Sequence, residues 1–367
     1  MIPVTKSDLP PLERYIEHLK KIWTTRWLTN NGEFVKLLES RLEEYLKVKN
    51  LMLVSNGTLA LEIALRALNI NGEVITTPFT FAATTNAILW EGATPIFADI
   101  NPETFNIDPH DVEEKLTDKT TAILAVHVYG NPCFVKELQE IAREHSLKLI
   151  YDAAHAFSVE YENNPISSYG DITTLSFHAT KVFNTIEGGA IIAKGNETVE
   201  KMKLLRNHGI MSEEQVVIPG TNAKMNEFQA IMGICNLENI EDRINSRKKL
   251  YEYYISCLAN IEEIKFQKIV ASKYNYSYMP ILVKSKKMRD NLYSKLIENG
   301  IKPRKYFFPL TVDFDYFKGR GENLVEKYGL RNSRDISNRV LCLPLYPDLE
   351  MHVVDKIADI IEEQTAV

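Results

Sequence analysis

The chain has 367 residues, 25% of them charged and 45% hydrophobic, with a formal net charge of −6. That is room for two domains and a sizeable core, and the balance excludes a disordered chain. The acidic net charge also excludes a general nucleic-acid binder, which would carry basic stripes.

The four cysteines (Cys133, Cys235, Cys257 and Cys342) are scattered, with no C-x-x-C and no metal-ligand spacing. They read as reduced thiols of a cytoplasmic protein, and no metal site is expected. The start, Met1-Ile2-Pro3-Val4-Thr5-Lys6, lacks the apolar region of a signal peptide. The stretch from Ile75 to Trp90 is broken by Pro78 and several threonines, so no membrane span is expected.

In chain order, Leu51 to Val54 reads as a strand and Thr58 to Leu68 as a helix. Glu73 to Thr77 follows as a strand, then a helix from Phe81 to Trp90. Pro95 to Ala98 and Thr121 to Val128 are further strands. A helix over Val135 to His145 leads into the strand Leu147 to Tyr151, and Ile172 to Phe177 and Ala190 to Ala193 are two more. Alternation of strands and helices predicts an α/β fold with a mostly parallel sheet. Met225 to Leu258 reads as one long helical stretch leaving this first unit. Beyond it, strands at Ser277 to Val283 and Val340 to Leu343 mix with helices at Lys287 to Asn299 and Met351 to Glu363, a smaller α+β unit. The expected division is residues 1–240, the large domain, and 241–367, the connector helix and small domain. No phosphate-binding P-loop and no dinucleotide fingerprint occurs; Gly319-Arg320-Gly321 reads as a turn in a charged loop.

In a parallel sheet, ligands bind beyond the carboxyl ends of the strands. Three polar clusters fall there. Ser55-Asn56-Gly57-Thr58 follows a strand and opens a helix, whose free N–H groups and partial positive charge suit a phosphate; an ordinary N-cap is the competing reading. Asp152 ends an apolar run, where its carboxylate faces the rim or caps a helix. His155, three residues on, is a ring contact or a structural histidine. Lys181 is the only side chain from Ile172 to Ile186 that carries a full charge at neutral pH. A lysine enclosed by apolar residues has its pKa lowered and becomes a nucleophile; the alternative is a surface lysine beside a core strand. Schiff-base lysine, pyridinium carboxylate and phosphate seat are together the three handles of pyridoxal 5'-phosphate.

The motifs then extend along the chain: Trp27-Leu28-Thr29, Pro78-Phe79-Thr80-Phe81-Ala82-Ala83-Thr84, and His127-Val128-Tyr129-Gly130-Asn131-Pro132. They continue as Asp152-Ala153-Ala154-His155, Ser176-Phe177-His178-Ala179-Thr180-Lys181, Glu187-Gly188-Gly189-Ala190, Arg206-Asn207-His208-Gly209 and Leu343-Pro344-Leu345-Tyr346-Pro347. In these the sequence resembles, nearly end to end, the DegT/DnrJ/EryC1/StrS sugar aminotransferases of the fold type I pyridoxal-phosphate enzymes. The resemblance implies Lys181 as the catalytic, cofactor-bound lysine, Asp152 facing the pyridine nitrogen, and His155 contacting the ring or its hydroxyl. It implies phosphate contacts from Gly57, Thr58 and Ser176, and an apolar wall that includes Phe81. Asn222 matches an asparagine that reaches the phosphate from a partner subunit, so a homodimer with shared sites is implied. Many members have an aromatic residue where this chain has Thr221.

The implied reaction moves an amino group from L-glutamate to a nucleotide-linked keto sugar, with pyridoxamine 5'-phosphate formed during turnover. Members acting at C-3 often carry D-A-A-Q and G-A-L-G-D-G-G-A. This chain has Asp152-Ala153-Ala154-His155 and Asn184-Thr185-Ile186-Glu187-Gly188-Gly189-Ala190, closer to the C-4 group that makes 4-amino-4,6-dideoxy sugars for surface polysaccharides. The expected acceptor is dTDP-4-keto-6-deoxyglucose. The alternatives are a C-3 enzyme on a 3-keto isomer, a dehydratase on the same fold, which Lys181 disfavours, or a regulatory member. For the substrate, Thr29 is one candidate contact. Arg304, Lys305 and Tyr306, in the basic and aromatic run from Lys302 to Phe308, are suited to a diphosphate and a base; a solvated loop beside core aromatics is the competing reading.

Overall fold

The computed structural model describes residues 1–318 and 323–365, so the Gly319-Arg320-Gly321 turn lies outside the described residues. Seven strands form the main sheet: β1 (Leu51–Val54), β2 (Glu73–Thr76), β3 (Thr94–Phe97), β4 (Thr120–Val126), β5 (Lys148–Asp152), β6 (Ile172–Ser176) and β7 (Gly189–Ala193). Their order is β1-β7-β6-β5-β4-β2-β3. Strand β7 runs antiparallel to both neighbours, and every other pair is parallel. This is the mixed, mostly parallel sheet of fold type I.

Side chains alternate across the sheet, so each central strand feeds two cores. In β1, Leu51 and Leu53 join one buried cluster while Met52 and Val54 join another. Ile75, Ile123 and Leu149 share the first side; Val74, Leu124 and Ile150 share the second. Helix α1 (Leu12–Thr25) and helix α2 (Glu33–Leu46) precede the sheet. The buried Glu227 carboxylate accepts from the Phe34 and Val35 N–H groups at the start of α2, 2.9 and 3.2 Å away. Helix α3 (Gly57–Ala67) begins at the end of β1, where the Asn56 side chain accepts from Leu59 N–H at 2.9 Å. Helix α4 (Ala82–Trp90) packs beside α3 over the second core.

Three expectations are revised. The strand read to Val128 stops at Val126, because Val128 to Gly130 forms a tight turn with Tyr129 in the left-handed region at φ 58°. The Asn106 amide oxygen takes the Val128 N–H at 2.9 Å, in place of a neighbouring strand. The long stretch from Met225 is two helices, α5 (Glu227–Leu237) and α6 (Ile240–Leu258), separated at Asn239, whose φ of −122° is not helical. Asn236 turns inward there, donating to the Asn184 carbonyl at 2.8 Å and accepting from Arg243. The helix expected from Phe81 starts one residue later, with Phe81 as its cap.

The C-terminal part holds an antiparallel sheet of β8 (Ile264–Phe266), β9 (Met279–Val283) and β10 (Val340–Leu343), with helices α7 (Lys286–Glu298) and α8 (Met351–Thr365) packed together beside it. The first residues of the chain lie against this part. Ile2 and Pro3 pair in parallel with Ile301 and Lys302, and the Val4 carbonyl accepts from Leu345 N–H at 3.0 Å. Among the described residues, no helix is long and apolar enough to cross a membrane.

Candidate active site

The carboxyl ends of β1, β5 and β6 open onto a cavity of about 290 Å³. Gly57, Thr58, Phe81, Asp152, His155, Ser176, Lys181, Arg304 and Tyr306, all singled out in the sequence, line it. Strand pairing explains the gathering. Gly189 at the start of β7 lies opposite both Val54 and Ser176, which brings the two flanking strand ends to one level.

The helix start is built for an anion. A Cβ on Gly57 would sit 2.8 Å from the Ser176 Cβ, so a larger residue would push α3 off β6. The Leu59 and Ala60 N–H groups are taken by Asn56, while those of Gly57 and Thr58 have no acceptor among the described residues. Two free donors and the Ser176 hydroxyl therefore face the cavity at the positive end of a helix.

Asp152 is 5% exposed and held in place by the Thr84 hydroxyl (2.8 Å) and the Ala154 N–H (3.1 Å). Thr84 is fixed in turn by Thr80, 2.7 Å away. Burial raises the Asp152 pKa; the two hydrogen bonds and the nearby Lys181 oppose the rise. Lys181 sits in the turn after β6, its N–H bound to the His178 carbonyl at 2.9 Å. Phe177 and Phe183 pack edge to face beneath that turn, 4.9 Å between centroids. Enclosure brings the Lys181 ammonium down to about 8, with Asp152 resisting and the Arg304 charge assisting.

His155 is clamped through its carbonyl by Asn275 and Ser277. Its ring lies nearly parallel to Phe307 at 6.0 Å. Burial, with the Lys181 and Arg304 charges, holds its pKa well below the usual histidine value, so the imidazole is neutral. Its Nδ1 is buried without a partner. A buried polar atom left bare at a cavity wall invites a ligand group. The free helix start, the unpaired His155 nitrogen and the buried Asp152 carboxylate thus match the phosphate, ring substituent and ring nitrogen of pyridoxal phosphate, with Lys181 for its aldehyde.

The remaining candidates divide. Phe81 lines the cavity but keeps 51% of its surface open, so it forms part of the mouth and not a dry wall. Tyr306 is buried, and the Arg304 guanidinium lies over its ring at 3.8 Å. Lys305 turns away and pairs with Asp290 at 2.5 Å. Thr29 and Asn222 are exposed and do not line this cavity; Asn222 bridges to Asn207. Sequence reasoning assigned no role to Thr84, Tyr278, His178 or Glu187. The i, i+4 spacing of Thr80 and Thr84 was a usable signal for the first, whereas Tyr278 arrives from the segment just before β9 with no local cue. Among the described residues no group of three His, Cys, Asp or Glu side chains could hold a metal ion.

A half-buried lysine and a buried carboxylate at the rim of a mostly parallel sheet, beside a free helix start, define a pyridoxal-phosphate enzyme of fold type I. Residues 12–362 match the DegT/DnrJ/EryC1/StrS aminotransferase family, and the chain belongs to that family of pyridoxal-phosphate-dependent sugar aminotransferases. It is similar to a dTDP-4-amino-4,6-dideoxy-D-glucose transaminase of Shigella dysenteriae, at 42% identity over 363 residues and 98% of each chain. DesI, solved in the presence of its TDP-sugar product, matches with a TM-score of 0.92 at 30% identity, over 99% of this chain and 93% of that one. NtdA from Bacillus subtilis, solved with bound cofactor PMP, matches at 0.88 and 29% identity, over 97% and 82%.

Proposed function

We propose that the protein transfers the amino group of L-glutamate to C-4 of a nucleotide-linked 4-keto-6-deoxyhexose, dTDP-4-keto-6-deoxyglucose in the first instance, giving a 4-amino-4,6-dideoxy sugar. The observation that carries the reading is the enclosed Lys181 amine beside the buried Asp152 carboxylate. The similarity to the Shigella transaminase supports the substrate. Pyridoxal phosphate supplies an electron sink and carries the amino group between the two half-reactions. Gly57, Thr58 and Ser176 hold its phosphate, and His155 steadies the ring. Asp152 presents an anion to the ring nitrogen. Lys181, whose enclosure brings its ammonium down to about 8 and so makes the neutral amine more accessible than in an ordinary lysine, removes a proton from the donor carbon at Nζ and later delivers one to the sugar carbon.

Regiochemistry tests the substrate. The pocket must hold the ketone carbon at bonding distance from the amine, with Lys181 Nζ on the face where the proton arrives. A shift of one ring carbon moves the reacting atom by more than about 1 Å, enough to forfeit near-attack geometry. The 4-keto sugar should therefore exceed its 3-keto isomer by at least about tenfold in kcat/KM, or ~1.4 kcal/mol. NMR should place nitrogen on C-4 of the product; nitrogen on C-3, or equal rates, refutes C-4 transfer.

The active unit in this reading is a homodimer in which Asn222 completes the phosphate site of the partner. Exposed Trp27, Leu28, Met211 and Val216 support it, as does the groove lined by Asn30, Asn31, Asn207 and Met211. Lys181→Ala and Asn222→Ala protomers, each inactive alone, should regain about a quarter of parental activity on random re-pairing, because each heterodimer keeps one intact site. No recovery, or an active monomer in sedimentation, rules out the shared site.

A further inference from the structure

The geometry points to Arg304 as the residue that binds the α-carboxylate of the amino-acid donor, holding that carboxylate while Lys181 works on the adjacent carbon. The inference rests on the amino-acid half-reaction proposed above. It reassigns a residue whose sequence context suggested a diphosphate.

Three features carry it. First, Arg304 is a cavity-lining cation with no carboxylate partner among the described residues, while neighbouring Lys305 is tied to Asp290 at 2.5 Å. Second, it is fixed. Its N–H and C=O exchange hydrogen bonds with Cys342 at 3.0 and 2.8 Å, and its guanidinium carbon sits over the Tyr306 ring, 3.8 Å from the centroid. A ring contact takes up none of the guanidinium N–H groups, which remain as paired donors matched to a planar carboxylate. Third, the rim is electrically ordered. Glu187 precedes β7, Lys181 follows β6, Asp152 ends β5, and β4 lies next in the sheet. Tyr129, beyond β4, donates to the Tyr306 carbonyl and so anchors the residue whose ring the Arg304 guanidinium lies over. Glu187, 3.7 Å from His178, is a carboxylate of the same lining beside which a dicarboxylic acid would be poorly seated.

The placement of charge on the two substrates favours a carboxylate over a diphosphate. Arg304 lines the same cavity as Lys181 and His155, and its charge adds to burial in lowering both of their pKa values. An amino acid carries its α-carboxylate on the reacting carbon itself. A sugar nucleotide carries its diphosphate across the ring from C-4.

The test separates the half-reactions in the holoenzyme. L-Glutamate is titrated against the parent protein, Arg304→Gln and Arg304→Lys, following loss of the cofactor's visible absorbance. The keto sugar is then titrated against the aminated forms. Half-saturation by glutamate should rise at least about thirtyfold in Arg304→Gln and less in Arg304→Lys, the size expected for a charge-assisted pair. The sugar half-reaction should change less than about threefold, a shift within RT ln 3. Calorimetric binding of glutarate, which has carboxylates but no amine, should weaken in parallel. Unchanged glutamate and glutarate affinity, or a loss confined to the sugar half-reaction, overturns the assignment; the second outcome returns Arg304 to the diphosphate. Cofactor absorbance and thermal midpoint matching the parent exclude misfolding, and Arg304→Lys serves if Arg304→Gln fails that control. A parent protein that does not respond to glutamate contradicts the donor reading instead.

Discussion

Lys181→Ala is expected to retain pyridoxal phosphate through its phosphate and ring contacts, yet to lose about 10⁴ in kcat, the upper range for a positioned proton-transfer group. In the proposed reaction Nζ is both the covalent anchor and the group that moves protons on one face of the substrate, and no second amine lies in the cavity lining. Borohydride reduction of the parent followed by peptide mapping should place the label on Lys181. A label on any other lysine sinks the assignment. The pH dependence follows from the same burial. The neutral amine captures the cofactor, and the Lys181 ammonium lies at about 8 against 10.5 for an ordinary lysine. The rate at which apoprotein binds cofactor should therefore rise with pH and level off just above that value. A rise continuing to the ordinary lysine range contradicts the enclosure.

Much of this was legible because strand, polar cluster and helix follow one another along the chain. Short apolar runs leading into Asn56-Gly57-Thr58, Asp152 and Ser176 predict that these residues share a rim, and the sheet brings them to one cavity. What was not legible depends on contacts between distant segments. Thr84 reaches Asp152 across 68 residues of sequence. The stop of β4 at Val126 depends on an amide from Asn106, and the break before α6 on the inward turn of Asn236. Arg304 and Lys305 are neighbours in a basic run, and composition treats them alike. Only the placement of Asp290 and Tyr306 turns one outward to an ion pair and the other over a ring at the cavity. Asn222 carried its signal in the resemblance alone, since within one chain it bridges to Asn207 and lies apart from the cavity.

Asp152→Asn should keep the fold and lower kcat by about 10³, the scale for removing a preorganised electrostatic partner from a water-poor site. The carboxylate is already oriented: Thr84 donates to Oδ2 and Ala154 N–H to Oδ1. Those bonds and the nearby Lys181 stabilise the anion against a burial that favours the neutral acid. A positive ring nitrogen gives that charge its counterpart. Asparagine fills the same volume but brings no charge, so the ring nitrogen loses its reason to stay protonated and the electron sink weakens. Binding should record the same loss. Cofactor should raise the thermal midpoint of the parent more than that of the variant, because a ligand stabilises in proportion to its affinity for the folded state. A cofactor analogue methylated on the ring nitrogen is positively charged at every pH. It should restore part of the turnover in Asp152→Ala, where the missing side chain leaves room for the methyl group, and should do little for the parent. Full activity in Asp152→Asn, or no rescue by the methylated analogue, would show that Asp152 acts by packing and not by charge.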